Sequence, residues 1–198
     1  MLGNTLTHLR LTGFAVFLGC LVALPLSVLV SRSERLASAV QYGAGLVQTV
    51  PALALLALLI PVLGLGEVSA ITALFLYSLL PIVRNTIAGL AGIDPLLKDV
   101  AASLGMNRWQ QLARVELPLA MPMILAGVKT AAVISIGTAT LAAFVGAGGL
   151  GEPILTGLSL NDDTLILQGA IPAALLALLT EFLFSRLSMR LVPAHLRA

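Results

Sequence analysis

A glycine-rich hexapeptide is the stretch of this chain whose spacing most suggests ligand chemistry. Residues 146–151 read Gly-Ala-Gly-Gly-Leu-Gly and satisfy the G-x-G-x-x-G pattern. That pattern holds a dinucleotide pyrophosphate only where it follows a β-strand and opens a helix. Here it follows a long apolar segment and precedes Glu152-Pro153. The context argues against nucleotide binding and leaves two interpretations, a plain turn or a gate or docking surface that contains Gly146, Gly148, Gly149 and Gly151.

The residues that usually carry catalysis are sparse and far apart. The chain has two histidines, His8 and His195, near its opposite ends, and one cysteine, Cys20. It contains no G-x-x-x-x-G-K-[ST] phosphate-binding loop. A metal site or a catalytic triad needs several such groups in one place. We therefore predict no metal, no cofactor and no enzymatic activity on this chain itself.

The elements that position these residues are dictated by composition. Hydrophobic residues make up 59% of the chain and charged residues only 10%, whereas a soluble domain has about 25% charged residues. A helix crosses the hydrocarbon core of a bilayer with about 20 mostly apolar residues. We predict an all-α integral membrane protein with five such spans, near residues 11–30, 43–63, 68–90, 130–151 and 164–180.

The charges assign an orientation to these spans, because cytoplasmic loops are enriched in Lys and Arg. With the N-terminus outside, the outer side keeps only Arg10 among the basic residues, together with a few acidic residues. The inner loops and flanks then hold Arg32, Arg35, Arg84, Lys98, Arg108, Arg114, Lys129, Arg186, Arg190 and Arg197. We predict an outside N-terminus and a cytoplasmic C-terminus.

A charged interruption divides the apolar sequence, since six charged residues fall between Asp94 and Glu116. Asp94-Pro95 is typical of a helix start, and apolar residues then recur at helical spacing. Gly105 favours a helix end, and Asn107 with Gln110 predicts a second, reciprocally capped helix. We predict a cytoplasmic helix, glycine turn and helix. It either lies on the membrane surface or docks to another protein.

The same segment resembles the cytoplasmic signature of ATP-binding-cassette importer permeases, Glu-Ala-Ala, three residues, Gly, nine residues, Ile-x-Leu-Pro. This chain has Asp99-Val100-Ala101, three residues, Gly105, nine residues and Val115-Glu116-Leu117-Pro118. Asp, Val and Val replace the Glu, one Ala and the Ile of the signature. The resemblance implies a single type I importer permease domain over residues 1–198, with an ATPase-coupling segment at about 91–120. The implied coupling residues are Asp99, Val100, Ala101, Gly105, Leu117 and Pro118.

Longer stretches, at 46–64, 73–86, 137–151 and 160–178, resemble the osmoprotectant subclass of these permeases. That similarity implies import of a quaternary ammonium solute such as glycine betaine, choline or carnitine. It further implies three partners: a cytoplasmic ATPase that binds the ATP, a second permease subunit, identical or not, and an extracytoplasmic binding protein. The implied location is the bacterial inner membrane, which the chain crosses several times.

Some candidate residues keep two interpretations. Tyr77 and scattered phenylalanines are the aromatic residues that could line a central path, because Trp109 and Tyr42 fall at the inner side. Glu181 closes the charge-free run of the fifth span near its inner end, and acidic residues within spans are functional candidates. We favour a structural pair with Arg186 and expect Arg84 and Lys129 to anchor spans at the inner leaflet.

Three other functions are compatible with the residues alone. The chain could be an importer permease for another small solute, such as an amino acid. It could be a secondary transporter, although no internal repeat is evident. It could also be a membrane scaffold whose charged helix pair binds another protein. Uptake into vesicles driven by ATP, or by an ion gradient, separates these functions.

Overall fold

The chain is helical over nearly the whole of residues 1–191, which are the residues that the computed structural model describes. Arg197 and His195, both discussed above, lie outside the described residues. The α-helices are α1 (Leu2–Val30), α2 (Glu34–Thr49), α3 (Ala52–Leu63), α4 (Glu67–Ala91), α5 (Pro95–Ser103), α6 (Arg108–Gln111), α7 (Leu117–Thr138), α8 (Gly151–Leu160) and α9 (Asp163–Leu191). A π-helical turn, Leu112–Glu116, joins α6 to α7, and a 3₁₀ segment, Ala139–Val145, extends α7.

Length and apolar composition qualify four of these helices to cross a membrane, or five when one bent pair is counted as a span. The four are Leu2–Val30, Glu67–Ala91, the continuous helix Arg108–Val145, and Asp163–Arg190. The prediction of an all-helical membrane protein is therefore confirmed. The bent pair is α2 and α3, whose axes differ by 95°. The predicted span 43–63 includes this bend, which falls at Val50-Pro51 because proline cannot donate the backbone bond that would continue α2.

The predicted fourth span, 130–151, was wrong in position. The helix begins much earlier and already ends at Val145, so that residues 146–149 are not helical. The prediction started the span after Lys129 because a lone charge is costly in lipid. In the structure Lys129 lies near the middle of this helix and is paired with Glu181. The helix α8 was also missed, since it lies between the predicted fourth and fifth spans, where no helix was predicted.

Small residues allow the long helices to pack closely. A Cβ atom added to Gly19 of α1 would lie 2.1 Å from the Ser78 hydroxyl of α4. One added to Gly127 of α7 would lie 2.8 Å from the Pro81 carbonyl oxygen of α4. Lipid supplies no hydrophobic driving force between helices, so close van der Waals packing of this kind holds a membrane bundle together. Helices α1, α4 and α7 form the centre of the bundle.

The contacts place the helix ends in two groups. At one end, here called the charged end (residues 31–35 and 92–116), Arg32 after α1 faces Glu116 before α7. At the other, the glycine end (residues 64–66 and 146–151), the Gly66 N–H donates to the Val145 carbonyl over 2.7 Å. Helices α1 and α4 therefore both run from the glycine end to the charged end, and α7 runs back.

Candidate functional site

The turn of the charged segment is built as its sequence predicts. The Asp94 side chain accepts a hydrogen bond from the Leu96 N–H over 2.9 Å and caps α5. The helix ends at Ser103, and the chain reverses at Gly105, whose φ of +76° is a conformation that glycine adopts without strain. The Met106 N–H donates back to the Ala101 carbonyl over 3.2 Å, which closes the turn in the manner of a Schellman motif.

The second helix is locked to the first. Asn107 and Gln110 form the predicted capping box, each side chain accepting from the other's backbone N–H over 2.9 Å. The Gln111 side-chain amide then donates to the Lys98 carbonyl over 2.7 Å. This hydrogen bond cross-links α6 to α5, which a flexible loop would not show. The two helices and the turn between them, residues 95–111, therefore form one rigid unit, here called the elbow. The predicted helix, glycine turn and helix is confirmed.

The outer surface of this elbow is apolar and uncovered. Leu97, Val100 and Leu104 are 44%, 49% and 73% exposed, although they belong to the apolar stripe of α5. Asp99 is exposed beside them, and a Cβ added at Gly105 would meet no atom within 4 Å. This face has the apolar, weakly charged character of a docking surface.

Ala101 does not belong to that face. Ala101 is only 3% exposed, so it packs against its own chain. Its small side chain therefore fits the packed interior of this chain. Of the residues that the resemblance implied as contacts in α5, the structure leaves Asp99, Val100 and Gly105 accessible. Leu117 is half-buried and Pro118 is exposed. Both begin α7 and so belong to a different helix from the α5 surface.

A π-helical turn connects the elbow to the membrane helix. The Leu117 N–H donates to the Leu112 carbonyl, five residues back. The widened turn gives room before Pro118, whose ring would clash with the preceding turn of an ordinary α-helix. Glu116 in this turn is buried, and its carboxylate lies 3.7 Å from the Arg32 guanidinium. An ion pair thus ties the start of α7 to the end of α1.

The glycine end has a backbone that ordinary residues rarely adopt. Gly146, Gly148 and Gly149 all have positive φ, between +74° and +85°. Gly151 is constrained differently, because a Cβ there would lie 1.8 Å from the Thr140 carbonyl oxygen of the 3₁₀ segment. The hexapeptide follows a helix and is not preceded by a strand, which confirms that it is not a dinucleotide fold. This turn therefore needs glycine at three positions for its backbone conformation, and at Gly151 for close packing.

His8 fastens the glycine end, and the sequence reasoning missed this role. Its side chain is fully buried. The Leu150 N–H donates to His8 Nδ1 over 3.3 Å, so Nε2 carries the ring proton and donates to the Ile136 carbonyl over 3.0 Å. The neutral ring bridges α1, α7 and the glycine turn. The signal was available, since His8 falls in register with the small buried residues of α1, among them Ala15, Gly19, Ala23 and Ser27.

Tyr77, the aromatic residue that we singled out for a central path, is engaged at the α2–α3 bend. Its hydroxyl donates to the Val50 carbonyl, and its own carbonyl accepts from the Gln48 side chain over 3.0 Å. Pro51 leaves backbone groups of the bend without helical partners, and in lipid such groups must be satisfied internally. Tyr77 therefore supports the α2–α3 bend structurally.

An ion pair between α7 and α9 corrects another prediction. Glu181 is paired with Lys129, whose Nζ lies 2.6 Å from the Glu181 Oε1 atom, and not with Arg186. Arg186 instead lies over the Phe182 ring, 4.9 Å from its centroid. Lys129 and Glu181 had each been assigned to a helix end, where long side chains reach water. Because the fourth span was misplaced, the proximity of α7 and α9 at these residues was not visible.

Among residues 1–191, no group of three or more His, Cys, Asp and Glu side chains could hold a metal ion. What the described residues do assemble is a helical bundle with an apolar elbow at one end and a glycine turn at the other. That arrangement suits solute passage and partner docking.

Sequence comparison now assigns the family. Residues 15–195 match the family described as the binding-protein-dependent transport system inner membrane component. The chain belongs to this family. It is accordingly a multi-pass permease component of an ATP-binding-cassette importer in the inner membrane, and ATP binding belongs to the ATPase component of such a system. A binding-protein-dependent system also implies a substrate-binding protein.

This permease has similar relatives over its whole length. It is 46% identical over 197 residues to the carnitine transport permease protein OpuCB of Listeria monocytogenes, covering 100% of this chain and 90% of that protein. It is 43% identical over 197 residues to the glycine betaine/carnitine/choline transport system permease protein OpuCB of Bacillus subtilis, covering 100% and 91%. The similarity to each relative thus extends over this whole chain and about nine tenths of the relative.

The fold of this permease is also known from solved structures. A chain of the MetNI methionine transporter in an inward-facing conformation superimposes with a TM-score of 0.83, covering 98% of this permease and 96% of that chain. The two share 23% sequence identity, so the similarity shows the fold alone.

Proposed function

We propose that this permease carries glycine betaine, carnitine, choline or a closely related quaternary ammonium solute into the cell. The full-length identity to permeases that are named for these solutes supports the proposal. Such cations are bound tightly by aromatic cages, and this chain has only one Trp, two Tyr and six Phe. Trp109 is exposed on the elbow and Tyr77 is engaged at the bend. Selectivity then resides mainly on the separate binding protein.

The proposed arrangement is one permease domain over residues 1–198 with five spans, in which α2 and α3 together form the second. The N-terminus is outside and the C-terminus is cytoplasmic. Grouping of the helix ends supports this orientation, because Arg32, Arg35, Lys98, Arg108 and Arg114 all belong to the charged end. At the glycine end, Arg10 is paired with Glu67. Basic residues concentrate on the cytoplasmic side.

ATP hydrolysis on the ATPase subunit is coupled to this permease through the elbow, in the segment from about residue 91 to 120. Asp99, Val100 and Gly105 form the contact with the ATPase, and the uncovered apolar residues beside them supply buried area on docking. Leu117 and Pro118 pass the movement into α7, because the capping box and the Gln111–Lys98 bond make the elbow rigid. At the opposite end, Gly146, Gly148, Gly149 and Gly151 form part of the outer gate or the surface for the binding protein.

A pair of glycine variants tests the coupling proposal. Gly105 and Gly64 both have positive φ, +76° and +81°, and both would place a Cβ in open space. Valine at position 105 costs a backbone strain of about 1–2 kcal/mol. At Gly64, whose ψ of −178° lies in a region that essentially only glycine adopts, it costs at least as much, about 1–3 kcal/mol, but only position 105 lies on the elbow. In proteoliposomes that contain the ATPase and the binding protein, Gly105→Val abolishes solute-stimulated ATP hydrolysis and uptake, whereas Gly64→Val retains both. Equal activity of the two variants contradicts the proposal.

Five helices enclose little space, so we propose that two permease subunits, identical or not, form the pathway. Cross-linking of the purified complex between permease copies tests this arrangement. Orientation is tested separately in whole cells with Gly105→Cys in a Cys20→Ala background. A membrane-impermeant thiol reagent is expected to label position 105 only after the membrane is opened. Labelling of intact cells would reverse the orientation.

Substrate identity has its own test. Tritiated glycine betaine, carnitine and choline are each offered to proteoliposomes with the binding protein and ATP. At least one is expected to accumulate against its gradient. If none accumulates while an amino acid does, the assignment of the solute is wrong although the chain remains an importer permease.

A further inference from the structure

A cleft at the charged end joins the membrane helices to the elbow. Its volume is about 260 Å³. The floor is apolar and comes from the last turn of α1 and from the π-helical turn, while the rim carries two guanidinium groups and an indole ring. The lining residues are Val28, Leu29, Arg32, Arg108, Trp109 and Leu112.

The rim offers positive charge that the protein only partly neutralises. Arg108 forms no ion pair with any residue in the part of the chain that the structure describes. Arg32 faces the buried Glu116 carboxylate, but at 3.7 Å this contact is too long for a hydrogen bond, and its side chain stays 48% exposed. One acidic group against two arginines leaves the cleft with a net positive charge.

The cleft also sits at a particular depth. Val28 and Leu29 end a helix long enough to span the bilayer, and Arg108 and Trp109 begin the segment that leads back into it. Trp109 is 75% exposed, and amphipathic indole rings of this kind concentrate at the level of the lipid headgroups. Arginine recognises phosphate oxygens through paired N–H donors. The cleft therefore matches the parts of a phospholipid in order. The apolar floor suits the acyl chain, the aromatic rim the glycerol, and the guanidinium groups the phosphate.

We propose that this cleft binds one anionic phospholipid, with its phosphate held by Arg32 and Arg108 and its acyl chain against Val28 and Leu29. The bound lipid joins the end of α1 to the start of α6, and so holds the elbow at the membrane surface. The inference depends on the membrane placement of the helices and not on the transported solute.

The chain supplies its own probe, because Trp109 is its one tryptophan. Full-length permease is placed in nanodiscs of phosphatidylcholine with a low fraction of either brominated phosphatidylglycerol or brominated phosphatidylcholine. Each basic residue near an anionic headgroup enriches that lipid several-fold, so two give about thirtyfold. Brominated phosphatidylglycerol is therefore expected to quench Trp109 far more than brominated phosphatidylcholine at the same fraction. Equal quenching by the two lipids overturns the proposal.

Matched charge variants separate a site from general surface attraction. Arg32→Gln/Arg108→Gln is expected to remove the excess quenching, and Arg108→Gln alone, which leaves the Arg32–Glu116 contact intact, to reduce it several-fold. Arg186→Gln/Arg190→Gln removes the same charge from exposed positions near the end of α9 and is expected to keep the excess. If both double variants lose it equally, the attraction is diffuse and the site does not exist.

The ATPase is the competing occupant, since it approaches the same end. Native mass spectrometry of the assembled complex, with phosphatidylglycerol added, decides between them. The wild-type complex is expected to retain one more phosphatidylglycerol per permease copy than the Arg32→Gln/Arg108→Gln complex. Equal retention means that protein covers the cleft in the complex, and the lipid proposal is then wrong.

Discussion

The Lys129–Glu181 ion pair joins α9 to the middle of the helix that contains α7, and its removal tests how α9 is held. The Nζ and Oε1 atoms are 2.6 Å apart. At that separation the Coulomb attraction is about 6 kcal/mol with an effective dielectric constant of 20, which gives the scale of the coupling. The side chains are 29% and 48% exposed. Because both helices are long and apolar enough to cross a membrane, we expect these exposed parts to face lipid or a partner chain, so that screening by water is weak.

Single substitutions leave one charge behind. Lys129→Met and Glu181→Leu are each expected to destabilise the chain by about 3 kcal/mol, because an unpaired charge in a low-dielectric site is costly. The double variant is expected to lie within about 1 kcal/mol of the wild type, since a buried pair replaced by apolar residues of similar volume is often neutral. The cycle then has a coupling energy of about 5–7 kcal/mol, comparable to the Coulomb attraction.

Reversible unfolding by SDS in mixed micelles, followed by circular dichroism, measures these free energies. Arg186→Met is the control, because it removes a charge from the same helix and breaks only the contact with the Phe182 ring, with an expected cost of about 0.5–1 kcal/mol. A coupling energy under about 1 kcal/mol would refute the reasoning, since the pair would then contribute no more than a surface salt bridge.

Three further substitutions test the glycine end and the bend. Gly151→Ala places a Cβ 1.8 Å from the Thr140 carbonyl oxygen and is expected to destabilise the fold by about 3 kcal/mol. Gly137→Ala is the control, because a Cβ there meets open space, and it is expected to be neutral. SDS unfolding compares the stability of the two variants. His8→Ala loses two buried hydrogen bonds and is expected to cost about 2–4 kcal/mol and to speed hydrogen exchange at residues 146–150, measured by mass spectrometry. Tyr77→Phe strands the carbonyl at the α2–α3 bend and is expected to lower stability by about 1–3 kcal/mol in the same unfolding assay, while unchanged stability would show that the bend is satisfied without the hydroxyl.

Local rules predicted the elbow correctly because its determinants are close in sequence. The cap at Asp94, the reversal at Gly105 and the reciprocal bonds of Asn107 and Gln110 each depend on residues within a few positions. The same rules did not assign Ala101 to the interior, because an apolar stripe on a short helix does not say which of its members another element covers. The local rules also missed α8, because no helix was predicted in the residues that directly follow the glycine turn.

Composition and spacing by themselves determined that this is a helical membrane protein, where its helix–turn–helix elbow lies, and that the chain carries no phosphate-binding loop of its own. These properties follow from lipid as solvent and from hydrogen bonds between near neighbours, both of which are written into short windows of sequence. The tertiary structure decided the partners of Lys129, Glu181, His8 and Tyr77 and the true limits of the fourth long helix. A charge within an apolar span is costly unless another helix brings its counterion, and that proximity is a property of packing.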